Sequence, residues 1–315
     1  MTEMPPPRSV GFLLVPGFAL MSYASMVEPL RAANLLSGRE LYRWRHVSVD
    51  GAPVAASTGS ALPVEQAATG AGDFDLLFVC AGGQRIDFDH GPTLAWLRQL
   101  ARRGVGLGGI SGGPVVLARA GLLDGYHCTV HWEHAPAFAE EFPELRLTGS
   151  LFEIDRGRLT CAGGIAALDM AHELIAADHG ALLAAQVNDW FLQNQIRHGD
   201  RLQRMPVGER LGIANRRLVK VIEAMEAHIE EPLSRRDLAD RVAVSVRQLE
   251  RLFAERLNTT VAAHYLGVRL DRARSLLRQT ELSVAEVGFA CGFASASHFA
   301  RVYRARFGHA PSSEN

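Results

Sequence analysis

The feature that most restricts this chain is a near-repetition inside its C-terminal third. Ser234-Arg-Arg-Asp-Leu-Ala returns as Ser283-Val-Ala-Glu-Val-Gly at an offset of 49 residues, and Leu249, Leu252, Phe253, Arg256 and Leu257 return as Phe299, Val302, Tyr303, Arg306 and Phe307 at an offset of 50. One additional residue in the second turn accounts for the change. Each copy reads as a short helix, a tight turn and a longer helix whose apolar residues keep to one side. Ser234, Ser245 and Ser283 stand three residues before Asp237, Gln248 and Glu286, the spacing of a capping box, with Asp237 the looser match. Three helix starts are thus written locally, and the region reads as an all-α domain with two helix-turn-helix units.

Such a unit presents its second helix to the major groove. The outward sides of the two longer helices carry Arg247, Gln248 and Arg251 in one copy, and Ser297, His298, Arg301 and Arg304 in the other. Arginine can read guanine, glutamine can read adenine, and the remaining groups can hold phosphates. Ser245 and Ser295 are expected to cap these helices, leaving amides that favour a nearby phosphate. Residues 261–277 read as a continuous connector with Leu266, Leu270, Ala273 and Leu277 inward, so the two reading helices are expected to enter successive grooves, roughly 34 Å apart. The alternative is an ordinary amphipathic bundle with solvated arginines, which a duplicated and capped unit disfavours.

The rest of the chain calls for a second domain, since 315 residues exceed what one core usually organises. From Arg216 onward 16 Arg and Lys face 12 Asp and Glu, a net +4, whereas the preceding part has 17 against 22, a net −5. That asymmetry permits the C-terminal part to approach a polyanion. Lys220 is the only lysine; arginine suits bidentate phosphate and guanine contacts, although compositional bias explains it equally well. Residues 1–8 lack the apolar core of a signal peptide and no run is long enough to cross a bilayer, so no membrane partner and a cytoplasmic location are expected. Cys80, Cys128, Cys161 and Cys291 form no close pair and read as buried fillers, with no metal or cofactor implied.

Residues 10–15, 44–49, 76–80, 105–110 and 159–161 read as strands, and residues 26–36, 93–103, 114–120, 165–177 and 181–198 as helices. The resulting α/β domain spans 1–198, a linker covers 199–215, and the helical domain covers 216–315. The helix at 181–198 is a candidate surface for a homodimer. Glycines follow several strands, at Gly17, Gly82–Gly83, Gly112–Gly113 and Gly163–Gly164, along the sheet edge where ligands usually bind.

Gly108-Gly-Ile-Ser-Gly-Gly113 places Ser111 on a strand-to-helix bend, as in a nucleophile elbow. A serine needs a general base, and His127, His131 and His134 are the nearest in sequence. Glu28, placed near a helix start, divides between contacting a ligand at that loop and stabilising the helix dipole. His131 and Trp132 divide between a pocket wall and loop packing. Asp169 reads as a structural anchor.

At this point the C-terminal motifs resemble the AraC/XylS family of transcriptional regulators. Ala285-Glu-Val-Gly-Phe-Ala-Cys-Gly-Phe293, Ser297-His-Phe-Ala-Arg301 and Arg306-Phe-Gly-His-Ala-Pro311 carry the likeness. It implies a seven-helix DNA-binding domain with bases facing the residues around Arg247–Arg251 and Ser297–Arg301. Family members often continue past the proline with a Tyr-Arg pair; here Ser312-Ser313-Glu314-Asn315 follows, which implies a weakened or absent final contact of the helical domain.

The first domain is similar to the DJ-1/PfpI, or class I glutamine amidotransferase-like, family found in a subset of AraC-type regulators. Pro16-Gly17, Glu28-Pro29-Leu30-Arg31-Ala32-Ala33-Asn34, the elbow, Ala120-Gly121-Leu122-Leu123-Asp124-Gly125, His131-Trp132 and Ala162-Gly163-Gly164 leading to Asp169 carry it. The likeness implies a flavodoxin-type sandwich. Catalytic relatives have cysteine where Ser111 stands, supported from the Glu28 position, and some hydrolytic ones have histidine where Gly112 stands, so catalysis is not implied here. The resemblance instead implies a sensor of an amino acid or methylated amine such as arginine, carnitine or glycine betaine. Glu28, Ser111, Gly112, His131 and Trp132 are its expected ligand residues, Trp132 suiting a quaternary ammonium and the elbow amides a carboxylate.

The leading expectation is a ligand-responsive activator that binds double-stranded promoter DNA as a homodimer and works with RNA polymerase. The competing readings are a Ser111-dependent hydrolase or amidotransferase with an accessory DNA-binding domain, and a purely architectural DNA binder.

Overall fold

A computed structural model describes residues 6–70 and 72–314. Of the N-terminal segment read as lacking a signal peptide, residues 1–5 lie outside the described part. The chain divides into two compact units, Met1–Gln203 and Arg204–Asn315.

The first unit opens with β1 (Arg8–Leu14), α1 (Leu20–Ser37) and β2 (Tyr42–Ser48), then three short strands, β3 (Val54–Ala55), β4 (Ala61–Leu62) and β5 (Gln66–Ala67). It continues with β6 (Leu76–Ala81), α2 (Gly91–Arg102), β7 (Gly106–Ser111) and α3 (Gly113–Arg119). After β8 (His127–Cys128), α4 (Ala135–Glu141) and β9 (Arg146–Leu147), the antiparallel pair β10 (Phe152–Asp155) and β11 (Arg158–Cys161) leads into α5 (Ala166–His179) and α6 (Ala181–Trp190). The main sheet runs β10-β11-β7-β6-β1-β2-β5, parallel except at β10.

Parallel strands need crossovers, which lay helices on both faces and require each strand to be apolar on both sides. Phe12, Leu14, Phe78 and Cys80 accordingly pack against Met26 and Leu30 of α1 and Met170 of α5. Their neighbours Leu13, Leu77 and Val79 pack against Leu97 of α2 and Val116 of α3 on the opposite face. Each such buried side chain contributes about 1.5–3 kcal/mol. The α/β sandwich expected from the sequence is therefore present, and all four cysteines are buried and free.

Three expectations are corrected here. The first helix begins at Leu20 rather than residue 26: its N-cap, Ala19, has no side-chain cap to announce it. Glu28 consequently lies inside the helix, not near its start. The last helix of the unit stops at Trp190 rather than residue 198, with Leu192 in a left-handed conformation (φ 56°). The cause is Asp169, fully buried, whose carboxylate accepts from Gln193 Nε2 (2.8 Å), the Arg197 backbone N–H (3.0 Å) and the Arg197 guanidinium (2.9 and 2.6 Å). A continuing helix would break all of these bonds. The stretch read as a linker is ordered at both ends. Gly199 accepts from the Leu151 N–H, and the Gln203 amide donates to Thr129 Oγ1, Val130 O and Ser150 O, tying 199–203 to the first unit.

The second unit contains α7 (Val207–Arg210), α8 (Arg216–Ala227), α9 (Arg235–Asp240), α10 (Val246–Leu257), α11 (Val261–Gln279), α12 (Val284–Ala290) and α13 (Ala296–Phe307), then a 3-10 turn at Pro311–Ser313. The capping boxes at Ser234, Ser245 and Ser283 all form. Leu249 and Phe253 of α10 fill one small core with α8 and α9, and Phe299 and Tyr303 of α13 fill another with α12 and the latter part of α11. The repeat in sequence is thus a repeat of lobes. The tail does not lose its contact, contrary to the expectation from Ser312-Ser313-Glu314-Asn315. The Glu314 side chain is 1 % exposed and accepts from Arg274 Nε (2.8 Å), Arg278 Nε (2.7 Å) and the Tyr303 hydroxyl, with His309 Nε2 at 3.3 Å. The contact is made by an acidic side chain; Asn315 lies outside the described residues. No described helix is long and apolar enough to cross a membrane.

Candidate functional site

The carboxyl ends of β1, β6, β7 and β11 share one edge of the sheet, in register from Ala81 opposite Ser111 to Ile110 opposite Cys161. Ser111 ends β7 with φ 61°, and α3 starts two residues later. The bend needs glycine on its far side: a Cβ at Gly113 would lie 2.0 Å from the Val79 carbonyl oxygen, and one at Gly112 2.4 Å from Ile86 Cδ1. Packing this tight holds Ser111 in a strained conformation that costs about 1–2 kcal/mol in a residue with a Cβ.

Several groups converge on this serine. The Gly163-Gly164 turn after β11 lies on one side, where a Cβ on Gly163 would be 2.7 Å from Ser111 Cβ and 2.8 Å from Ser22 Oγ. Ser22 Oγ also accepts from the Gly164 N–H at 2.7 Å. The His131 N–H donates to the Ser111 carbonyl at 3.4 Å, and the His131 ring centroid is 5.3 Å from that of Trp132, which is 44 % exposed. Burial lowers the His131 pKa against the opposing pull of Glu133, which favours the neutral ring. Gly112 donates its N–H to Ala81 O at 3.1 Å and is not the free amide that an oxyanion site would offer. Glu28 is on the third turn of α1, ion-paired with Arg31 at 2.6 Å, and among the described residues no hydrogen bond or ion pair joins it to the elbow. Ser22 was not singled out in the sequence; a helix start placed at Leu20 would have put it in the first turn, facing the elbow.

Among the described residues no hydrogen bond reaches the Ser111 hydroxyl, whereas an activated serine nucleophile has a general base within hydrogen-bond reach. The adjacent Cys161 thiol is pushed up to about 12, chiefly by burial, and is inert.

In the second unit, Ser245, Arg247, Gln248 and Arg251 of the first lobe are exposed, as are Ser295, Ser297, His298, Arg301 and Arg304 of the second. Ser245 accepts from the Gln248 N–H and Ser295 from the His298 N–H, as expected of caps. Gln248 Oε1 in turn accepts from the Ser245 N–H (2.8 Å) and hydroxyl (3.1 Å), so the acceptor it would turn to adenine is held by the cap. Arg251 lies 3.6 Å from Glu255, whereas Arg247, Arg301 and Arg304 pair with no described side chain.

Residues 8–177 match the DJ-1/PfpI family and residues 238–314 a helix-turn-helix domain. The chain is 50% identical to the HTH-type transcriptional regulator CdhR of Pseudomonas aeruginosa over 96% of its own length and 90% of that protein's. It belongs to the AraC/XylS-type regulators that carry an N-terminal DJ-1/PfpI domain. The HTH-type transcriptional regulator GbdR of the same species is 44% identical, over 98% of this chain and 84% of its own. The crystal structure of an AraC family transcriptional regulator from Pseudomonas putida superposes with a TM-score of 0.54 at 31% identity, covering 59% of this chain and all of that one. For this AraC-type regulator, the serine elbow therefore stands in a protein whose full-length relatives are named as regulators. Its helix-turn-helix domain carries two capped helices with exposed arginines.

Proposed function

We propose that this regulator is a cytoplasmic, ligand-responsive activator whose first unit binds an amino acid or quaternary amine at the elbow edge and whose second unit binds promoter DNA. The observation that carries the effector half is that Ser22 and Ser111 meet at the Gly163 turn, while His131, bonded through its backbone to Ser111, carries the half-exposed Trp132 beside its ring. The hydroxyls and the neutral imidazole suit a carboxylate or hydroxyl, and the indole face suits an alkylated ammonium. Glu28, held by Arg31, stands outside this group. In the DNA-binding half, Arg247, Arg251, Arg301 and Arg304 contact bases and phosphates, while Ser245, Ser295, Ser297 and His298 settle the helix ends on the backbone. A homodimer would double the number of reading helices and bring RNA polymerase to one promoter face. Its effector acts by binding the DNA-competent arrangement more tightly than the other.

Calorimetric titration of the full chain with glycine betaine, carnitine and arginine tests this reading. One of the three is expected to bind, and Trp132→Ala to weaken it about tenfold, the effect of losing a cation–π contact of roughly 1–2 kcal/mol. If none binds, the effector class is wrong. If one binds with equal affinity to W132A, the site lies elsewhere.

A further inference from the structure

The two lobes of the DNA-binding unit have largely separate cores, so the angle between their reading helices depends on the few contacts that join one lobe to the other. Connector helix α11 contributes side chains to both cores. Tyr265 and Arg269, one turn apart on the same face of α11, add directional bonds from it to each lobe. The Tyr265 hydroxyl donates to the His228 carbonyl and accepts from the Leu233 N–H (3.2 Å), so it bridges both ends of the loop between α8 and α9 in the first lobe. The Arg269 guanidinium donates to the Cys291 carbonyl (2.8 Å) and the Gly292 carbonyl (2.6 Å) and lies 4.1 Å from the Phe293 ring centroid, all in the turn between α12 and α13 of the second lobe.

These two anchored segments also meet each other. Gly292 has φ 73°, and a Cβ on it would lie 2.6 Å from the Ile229 carbonyl oxygen, 2.7 Å from the Glu230 carbonyl oxygen and 2.7 Å from Pro232 Cγ. Ile229, though it belongs to the first lobe's loop, packs on the core of the second. The loop of one lobe, the recognition turn of the other and the connector thus form a three-way junction. Its polar bonds are directional: a carbonyl pair held by a planar guanidinium fixes the angle of the turn as well as its distance.

We infer that Tyr265 and Arg269 are positioning residues that fix the spacing of the two reading helices, and thereby the separation of DNA sub-sites the regulator accepts. The inference rests on the DNA-reading function proposed above. One base pair added between the sub-sites moves the second by about 3.4 Å and roughly a tenth of a turn. A rigid pair of lobes cannot follow that displacement; a pair freed at the junction can.

The experiment selects duplexes from a random library with the full-length protein. It then rebuilds the selected half-site with one base pair inserted or removed between its sub-sites, and measures binding by wild type, Tyr265→Phe and Arg269→Lys. Wild type is expected to lose at least about tenfold on either change, in the range of a misplaced contact. Y265F and R269K are expected to bind the original spacing more weakly, while their mis-spacing loss shrinks below about threefold. Val287→Ala, which opens the second lobe's core while leaving the Tyr265 and Arg269 hydrogen bonds their partners, controls for simple loss of stability and is expected to keep the tenfold discrimination. If Y265F and R269K keep it as well, the inference is overturned. If wild type selects no duplex at all, the DNA-reading proposal has failed instead, and the two failures are distinct.

Discussion

Ser111 occupies a backbone conformation that glycine adopts without penalty, between neighbours that admit no movement. Its side chain is kept at the expense of stability. Replacing it with glycine removes about 1–2 kcal/mol of left-handed strain and adds part of that back as unfolded-state freedom. Ser111→Gly is therefore expected to stabilise the first unit by roughly 0.5–1 kcal/mol in urea unfolding, while weakening effector binding through the lost hydroxyl. Destabilisation instead would show that the bend is unstrained. The elbow was legible in the sequence because glycines bracket a serine after an apolar strand. Ser22 was not, because its role arises where α1 meets a turn after β11, and no short-range pattern connects residues so far apart in sequence.

At the scale of elements, what could be read in advance was local. Helix caps and the offset repeat survive folding because the groups involved are within a few residues of one another; even the left-handed turn residues, Ala243 and Gly292, differ by the same 49 positions. Elements set by distant partners escaped the reading: Asp169 ends α6, and the two-residue strands have no periodicity to detect. The cap also restricts function. Gln248 Oε1 cannot complete the Ser245 box and accept from an adenine at the same time. Gln248→Ala is expected to destabilise the second unit by about 0.5–1 kcal/mol through the lost half of the box, with affinity falling evenly on all sequences. A changed preference at a single base pair would instead mean that the box opens on DNA.

Across the whole molecule, the units carry separate cores, and their unfolding can be followed separately. All four tryptophans, Trp44, Trp96, Trp132 and Trp190, lie in the first unit, so fluorescence reports that unit and helical circular dichroism reports both. The cluster at Glu314 belongs to the second. Burial pushes the Glu314 pKa up, but the hydrogen bonds from Arg274 and Tyr303 together with the charges of Arg274 and Arg278 outweigh it and hold the carboxyl below its ordinary value. A carboxyl lowered by folding stabilises the protein fully above the ordinary carboxylate range, and that contribution disappears as the pH falls through the folded-state pKa. Glu314→Gln keeps the volume and removes the charge facing two arginines that are each about a third exposed, so water offsets part of the loss. The expected cost at pH 7 is about 1–3 kcal/mol, below that of a fully buried pair. The thermal transition seen by circular dichroism should fall by several degrees while the fluorescence transition stays in place, and the difference between wild type and E314Q should shrink as pH is lowered from 5 to 3. A difference that persists unchanged at pH 3 would mean that the carboxylate charge is not what secures the tail. A matching shift in the fluorescence transition would mean that the two units melt as one.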